Sequence, residues 1–547
     1  MLFKEIKNKN NNYYGKYGLS NFVMLYYIKR QLKRETMKFL DKIFSRIVIF
    51  GLLLLFQAFM LFYIVFALGE SVNEVYGILL FASILTVAYV NTRNMNPAYK
   101  LGWAIVIMGF PFFGILFYLA VGNKKPTRKL KKKLSRASEF AHRMLPQDAD
   151  TIEEIVKEDP MVAGNAMYIS NYGPYPMCKN TKTKFYPVGE DAFVDMIEEL
   201  KKAEKYIFIE YFIVHEGKMW DTILDILEEK VKEGVDVRFI YDDVGSLTVL
   251  PSKYHRVLEK KGIKTIVFNP FVPFLSLVMN NRDHRKITVI DGKVGFTGGI
   301  NLSDEYINEV ERFGHWKDNA IKLEGEGVWN LTIMFLEMWN GLRPTDNELA
   351  YEKFKPDYSF ASDYKDEGYV QPFSDSPLDN EVLSENVYMN ILNSARDYVY
   401  IYTPYLIIDN EMTTALTLAA KRGVDVRIVI PGIPDKKTAF ELTKSFCPEL
   451  INSGVKIYHY TPGFLHGKCF VSDDKVGTVG TANMDYRSLY LHFECGVYLY
   501  KTKSVMEIKD DMLKTFEKSE RRYNKRNKLP IIFKIYRSLL RLFAPLM

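Results

Sequence analysis

The sequence is short of several residues from which functional sites are commonly built. Four cysteines, at 178, 447, 469 and 495, form no Cys-x-x-Cys pair, so neither a zinc ribbon nor a disulfide framework is indicated and a reducing compartment fits. The apolar run 47–68 is too long for a removed signal peptide and lacks its cleavage flank. Positive charge is in modest excess, +7 over 547 residues. The basic clusters stand beside apolar runs and form no stripe interleaved with aromatics, which argues against nucleic acid as a partner.

Histidine is scarce too. Eight occur, at 142, 215, 255, 284, 315, 459, 466 and 492, and two of them carry the same set of neighbours. Asn281-Arg-Asp-His284-Arg-Lys286-Ile-Thr-Val-Ile-Asp291 is followed by Gly298-Gly299-Ile-Asn301. His466-Gly-Lys468-Cys-Phe-Val-Ser-Asp473 is followed by Gly480-Thr-Ala-Asn483. Both read H-x-K-x4-D-x6-G-x-x-N without a gap. The residues after each lysine are β-rich and mostly apolar, and on a strand His and Lys two apart share a face. That face gains a titratable base beside a fixed cation, which suits a phosphate ester. The glycines give close access and Asn301 and Asn483 add amide hydrogen bonding. Asp291 and Asp473 precede turn residues, and they read as orienting or structural groups within the motif.

The duplicated pattern resembles the phospholipase D superfamily, with its paired HKD motifs. The resemblance implies that both motifs face one cleft between two similar lobes. The implied catalytic set is His284, Lys286, Asp291, His466, Lys468 and Asp473. His284 is expected to attack phosphorus, and His466 to protonate the leaving alcohol and then deprotonate the incoming hydroxyl. Lys286, Lys468, Asn301 and Asn483 are expected to hold the phosphate oxygens. The resemblance also implies a carboxylate behind each imidazole, contributed by the opposite half: Asp318 for His466 and Glu494 for His284. No metal or other cofactor is expected.

Along the chain, 1–43 is a basic extension in which Met37 begins a charge-then-apolar pattern. The membrane region is expected over 44–122, with apolar runs near 47–68, 75–90 and 101–121. The third run holds Gly109-Phe-Pro111 at its centre. Basic residues on both sides of the region place both ends in the cytoplasm. The first two runs then form a hairpin and the third is a Pro-broken re-entrant or interfacial segment; three full spans with an external enzyme is the alternative. A basic juxtamembrane linker, 123–180, follows. The rest reads as α/β: a first lobe at 181–342, a connection at 343–384 rich in Asp, Pro, Ser and Tyr, and a second lobe at 385–520. Strand, helix and Gly-Val-Asp-Val-Arg strand recur at 203–242 and 395–430, so mostly parallel sheets flanked by helices are expected in both lobes. The tail, 521–547, interleaves Lys534, Arg537 and Arg541 with Ile, Phe and Leu, the pattern of a basic amphipathic helix on a membrane.

Within the superfamily, Asn96-Pro97-Ala-Tyr-Lys-Leu-Gly-Trp103, Pro111-Phe-Phe-Gly114, Ile209-Glu210-Tyr211-Phe212 and Pro404-Tyr405 are similar to bacterial cardiolipin synthases over roughly 40–547. This implies a multi-pass protein of the bacterial cell membrane, with its lobes on the cytoplasmic side. Phosphatidylglycerol and cardiolipin would be its lipid partners, and a homo-oligomer is left open. A hydrolytic phospholipase D or another phosphatidyltransferase would use the same motifs.

Overall fold

The computed structural model describes residues 59, 63, 72–122, 128–270, 281–343, 351–364, 367–379, 381–523 and 530–546. The chain forms two compact units, Met1–Asn123 and Lys124–Met547. The extension 1–43, most of the run 47–68 and the first residues of the linker, 123–127, lie outside the described residues.

In the first unit, Val72–Thr92 is a continuous 21-residue helix. Its Glu74–Thr92 stretch is long and apolar enough to cross a membrane, and no other helix among the described residues meets that test. Asn96 caps the next helix, Pro97–Gly109, by accepting a hydrogen bond from the Ala98 amide at 3.0 Å. At 13 residues this helix is about 20 Å long, short of a bilayer's hydrocarbon core. The third apolar run breaks where its Gly-Phe-Pro predicts, since Pro111 lacks an amide hydrogen and cannot continue a helix. A second short helix, Pro111–Phe117, then packs on the first. Gly114 makes that packing fit, because a Cβ there would lie 2.4 Å from the Val106 carbonyl oxygen. Trp103, Ile107 and Tyr118 close a small core with Val90.

The second unit is built from two sheets that repeat one plan. In spatial order the first runs Thr181–Tyr186, Ala320–Gly325, Val294–Gly298, Ile287–Ile290, Tyr206–Tyr211, Asp236–Asp242, Lys264–Phe268. The second runs Tyr369–Asp375, Glu494–Tyr500, Val476–Gly480, Cys469–Ser472, Tyr398–Tyr402, Asp425–Pro431, Lys456–Tyr460 and adds Ser519–Arg522 at its edge. The corresponding strands match position by position. Only the strand–helix–strand pieces, such as Tyr206–Tyr211 with Asp236–Asp242 and Tyr398–Tyr402 with Asp425–Pro431, pair in parallel. Both sheets are therefore mixed, which corrects the expectation of mostly parallel sheets. The cause is local. Each motif strand turns back at once through a tight hairpin, and a hairpin can only be antiparallel. Asp291 and Gly292 supply φ of 52° and 67° at one turn, and Asp473 and Asp474 supply 51° and 59° at the other, the left-handed backbone by which a tight turn reverses the chain.

Two domain boundaries also differ from expectation. The segment read as a basic linker folds into helices Arg128–Arg143, Ala149–Glu158 and Pro160–Tyr172. The first of these packs against the almost wholly buried helix Val328–Leu342. The described part of the connection contributes Tyr369–Asp375 as an edge strand of the second sheet. Its Pro372 disguised it, and a proline is tolerated there because an edge strand has one unpaired side.

Candidate active site

The two motifs meet where the lobes cross. Each His-x-Lys stands just ahead of its strand, which begins with Ile287 or Cys469, three residues beyond the histidine that was expected to lie on it. The two halves reach across each other in the same way. The His284 amide donates to the Phe493 carbonyl at 2.9 Å, and the His466 amide to the Lys317 carbonyl at 2.7 Å. These two carbonyl residues immediately precede Glu494 and Asp318.

Those carboxylates hold the imidazoles. His284 Nδ1 lies 2.9 Å from both carboxylate oxygens of Glu494. His466 Nδ1 lies 2.6 Å from Asp318 Oδ2. With Nδ1–H donated to a carboxylate, each ring keeps Nε2 as its free, basic nitrogen. Both carboxylates are wholly buried. Burial alone would raise their pKa values, but the charges of His284 on Glu494, and of His466 and Lys468 on Asp318, outweigh it and hold both below the usual range.

The lysines are folded back toward the histidines. Lys286 Nζ donates to the His284 carbonyl at 2.6 Å. Lys468 Nζ contacts the His466 carbonyl and lies 2.8 Å from His466 Nδ1. Burial, with the neighbouring ammonium second for Lys468, pulls Lys286 down to about 8 and Lys468 down to about 7. The charge of Lys286 also bears on His466, so the two motifs share one electrostatic environment. Burial brings His284 to about 3 and His466 to about 4. Both imidazoles are accordingly neutral at pH 7 in the substrate-free enzyme, while Lys286 is largely protonated and Lys468 about half so.

The motif aspartates lie at the far ends of their strands. Asp291 accepts hydrogen bonds from the amides of Glu204, Lys205 and Tyr206, each at 2.8 Å. Asp473 does the same for Arg396, Asp397 and Tyr398 at 2.8–3.0 Å. Each carboxylate thus ties its hairpin to the start of the neighbouring strand. Asn301 accepts from the Ile213 amide and donates to Tyr306 Oη at 3.0 and 2.8 Å, which leaves one N–H of its amide. Asn483 is buried with Oδ1 unpartnered, and a half-turn of its amide would present N–H2 at the same point.

Three contributors escape the sequence reading. Asn319, next to Asp318, accepts the Lys468 amide at 2.8 Å. Thr481 donates to Glu494. His492 is buried, its ring centroid 5.5 Å from that of His284; its Nδ1 lies 3.7 Å from Glu494 Oε1, beyond hydrogen-bond distance, and neither ring nitrogen makes a hydrogen bond. His492 stands two residues before Glu494, as Trp316 stands two before Asp318 on His466; aligning the halves on their carboxylates exposes it. His284, His492 and Glu494 bring potential metal-ligating atoms within 4.8 Å of one another. Glu494 is already committed to His284 and Thr481, and the nearby charge of Lys286 opposes a cation there.

Known proteins match over the same blocks. A family model described as cardiolipin synthase, PLD-like domain, matches residues 196–319 and 388–518, and one described as phospholipase D-nuclease N-terminal matches 78–123. A protein of Geobacillus thermodenitrificans named cardiolipin synthase is 36% identical over 486 residues, covering 88% of this chain and 95% of its own. An uncharacterized protein of Streptococcus mutans is 48% identical over 443 residues, 80% of this chain and 94% of its own. A crystal structure of phosphatidylserine synthase from Haemophilus influenzae has the same fold, with a TM-score of 0.54 at 16% identity, covering 70% of this chain and 100% of that one.

Proposed function

The chain belongs to the cardiolipin synthase family of phospholipase D-like phosphatidyltransferases, and from that premise we propose how its cleft joins two phosphatidylglycerol molecules into cardiolipin and glycerol. The observation that carries the reading is the crossed pairing of Glu494 with His284 and Asp318 with His466. Each half supplies the group that orients the other half's imidazole, so the two histidines work as one site.

The first phosphatidylglycerol brings its phosphodiester anion between Lys286 and Lys468. The anion's charge favours protonation nearby and raises the depressed histidine pKa values, so one imidazole can become the acid. His284 Nε2 attacks phosphorus; the P–N bond forms as the P–O bond to glycerol breaks, and His466 gives that oxygen a proton. The lysines, with the amides of Asn301 and Asn483, stabilise the charge that builds on the equatorial oxygens. His466, now neutral, takes the proton from the hydroxyl of a second phosphatidylglycerol. That oxygen attacks phosphorus, the P–N bond breaks, and His284 is restored. Asp291 and Asp473 act by fixing the hairpins that carry the motifs.

Both substrates live in a bilayer, and the first unit supplies membrane attachment. Helix Val72–Thr92 crosses the bilayer, while the broken pair Pro97–Gly109 and Pro111–Phe117 lies in one leaflet. The basic flanks put the catalytic unit on the cytoplasmic side. The test is a product assay with purified protein and labelled phosphatidylglycerol vesicles. Cardiolipin with released glycerol is expected. Phosphatidic acid alone would make the protein a hydrolase using the same two histidines.

A further inference from the structure

The helix Ile531–Leu542 shows the reverse of the usual arrangement for a helix on a soluble domain. It leaves its apolar side in the open: Ile531, Ile532, Phe533, Ile535, Leu539 and Phe543 are each between 46% and 77% exposed. It is held instead through its basic side. Arg537 donates to Glu441 at 2.9 Å, Arg541 lies 3.6 Å from Glu449, and the Arg541 guanidinium sits 4.3 Å over the Phe446 ring. All three partners belong to helix Lys437–Asn452. A helix with so much apolar surface in water has a partner to meet.

Its position in the fold says which one. Just ahead of helix Lys437–Asn452, Asp435 accepts a hydrogen bond from Tyr405 at 2.5 Å. Tyr405 lies in the electrostatic neighbourhood of Tyr306, whose ring packs on His466 at 5.5 Å. At its other end the tail continues into Ala544–Leu546, which packs on helix Tyr486–Leu491, the segment between Asn483 and Glu494. The exposed face is thus anchored to two elements that frame the cleft. Lys534 flanks it, and Arg521, Arg522, Lys525, Arg526 and Lys528 precede it in the sequence, a charge pattern complementary to anionic headgroups.

We propose that the outward face of helix Ile531–Leu542 docks on an anionic phospholipid bilayer and holds the catalytic cleft at the lipid surface, a second membrane contact separate from the amino-terminal helices. Apolar side chains enter the headgroup boundary while the arginine clamps keep the helix fixed to the catalytic unit. Its role in catalysis rests on the lipid-substrate reading above; its contact with lipid does not.

The experiment uses the full chain in phosphatidylglycerol proteoliposomes. In the variant Phe533→Trp, the fluorescence added over the parent is expected to be quenched by lipids brominated in their acyl chains. Unquenched fluorescence would overturn the docking. In the variant Ile532→Gln, Ile535→Gln, Leu539→Gln, turnover of bilayer phosphatidylglycerol is expected to fall roughly tenfold. Turnover of a short-chain phosphatidylglycerol dispersed as monomers is expected to be unchanged. Equal loss on both substrates would mean that the helix supports the fold, and no loss on either would remove its part in presenting the cleft. If neither the parent nor any variant makes cardiolipin, the quenching result still decides whether the helix meets lipid. A triple variant that instead dissociates an oligomer, with the added indole unquenched, would show that the face covers a second copy of the chain and overturn the proposal.

Discussion

The two halves of the catalytic unit lay down the same strands in the same order, yet they surround their histidines differently. Next to His284 stands Arg285, wholly buried and paired with Glu210 at 2.9 and 2.5 Å. The matching residue next to His466 is Gly467, where a Cβ would lie 2.4 Å from Asn319 Oδ1. His284 has the imidazole of His492 beside it, and His466 has the indole of Trp316. Duplication preserved what the backbone must do for a shared phosphate: the crossed carboxylates, the folded-back lysines and the aspartate-tied hairpins. The surrounding side chains then diverged. Two imidazoles of like chemistry thereby acquired unlike settings, in keeping with the proposed mechanism, in which one attacks and the other carries protons.

The largest expected effect treats the halves as equal. His284→Ala and His466→Ala should each lower cardiolipin formation at least about a thousandfold, and the double variant should be little worse, because the pair acts as a unit. Membrane insertion, checked by carbonate extraction, should be unchanged. Next, Glu494→Gln and Asp318→Asn should each reduce kcat roughly a hundred- to a thousandfold by loosening ring orientation and tautomer. A large effect of one and none of the other would break the crossed symmetry.

The remaining tests probe the asymmetry. Arg285→Met leaves the buried Glu210 unpaired, so denaturant unfolding should show a loss of about 3–5 kcal/mol; Gly467 has no counterpart to this pair. His492→Phe keeps ring shape and removes both nitrogens. If they meet a hydroxyl or phosphate oxygen of the lipid, kcat/KM should drop about tenfold, the value of roughly one hydrogen bond. An unchanged kcat/KM would make His492 packing only. The smallest effect is in the pH profile. Burial holds Lys468 to about 7 and Lys286 to about 8. Rising pH strips the protons from these ammonium groups, so kcat/KM should decline from about pH 7 upward, with Lys468 the first to lose its charge.

The motif residues were legible in the sequence because a repeat makes spacing informative: H-x-K-x4-D-x6-G-x-x-N twice singled out two of eight histidines. The strand–helix–strand pieces were legible through Gly-Val-Asp-Val-Arg and the helical runs before it. The mixed sheet was not, because direction depends on the Asp291–Gly292 and Asp473–Asp474 turns, whose positive φ values are a property of the folded backbone. Tyr369–Asp375 was hidden by Pro372 and polar neighbours, which an edge strand admits. The helix Arg128–Arg143 was masked by its lysines, although Leu134 is buried against Gly341. His492 was overlooked because it belongs to no motif copy, and only pairing the halves at their carboxylates gives it a place.

The claim on which the rest depends is that two motifs make one active site. It is tested most directly by rapid acid-free quenching of the enzyme with phosphatidylglycerol labelled in its phosphate, followed by peptide mapping of the labelled histidine. At most one label per chain is expected, carried on His284 and absent from His284→Ala. Label on both His284 and His466 in the same chain, approaching two per molecule, would contradict it and make each half an independent catalyst.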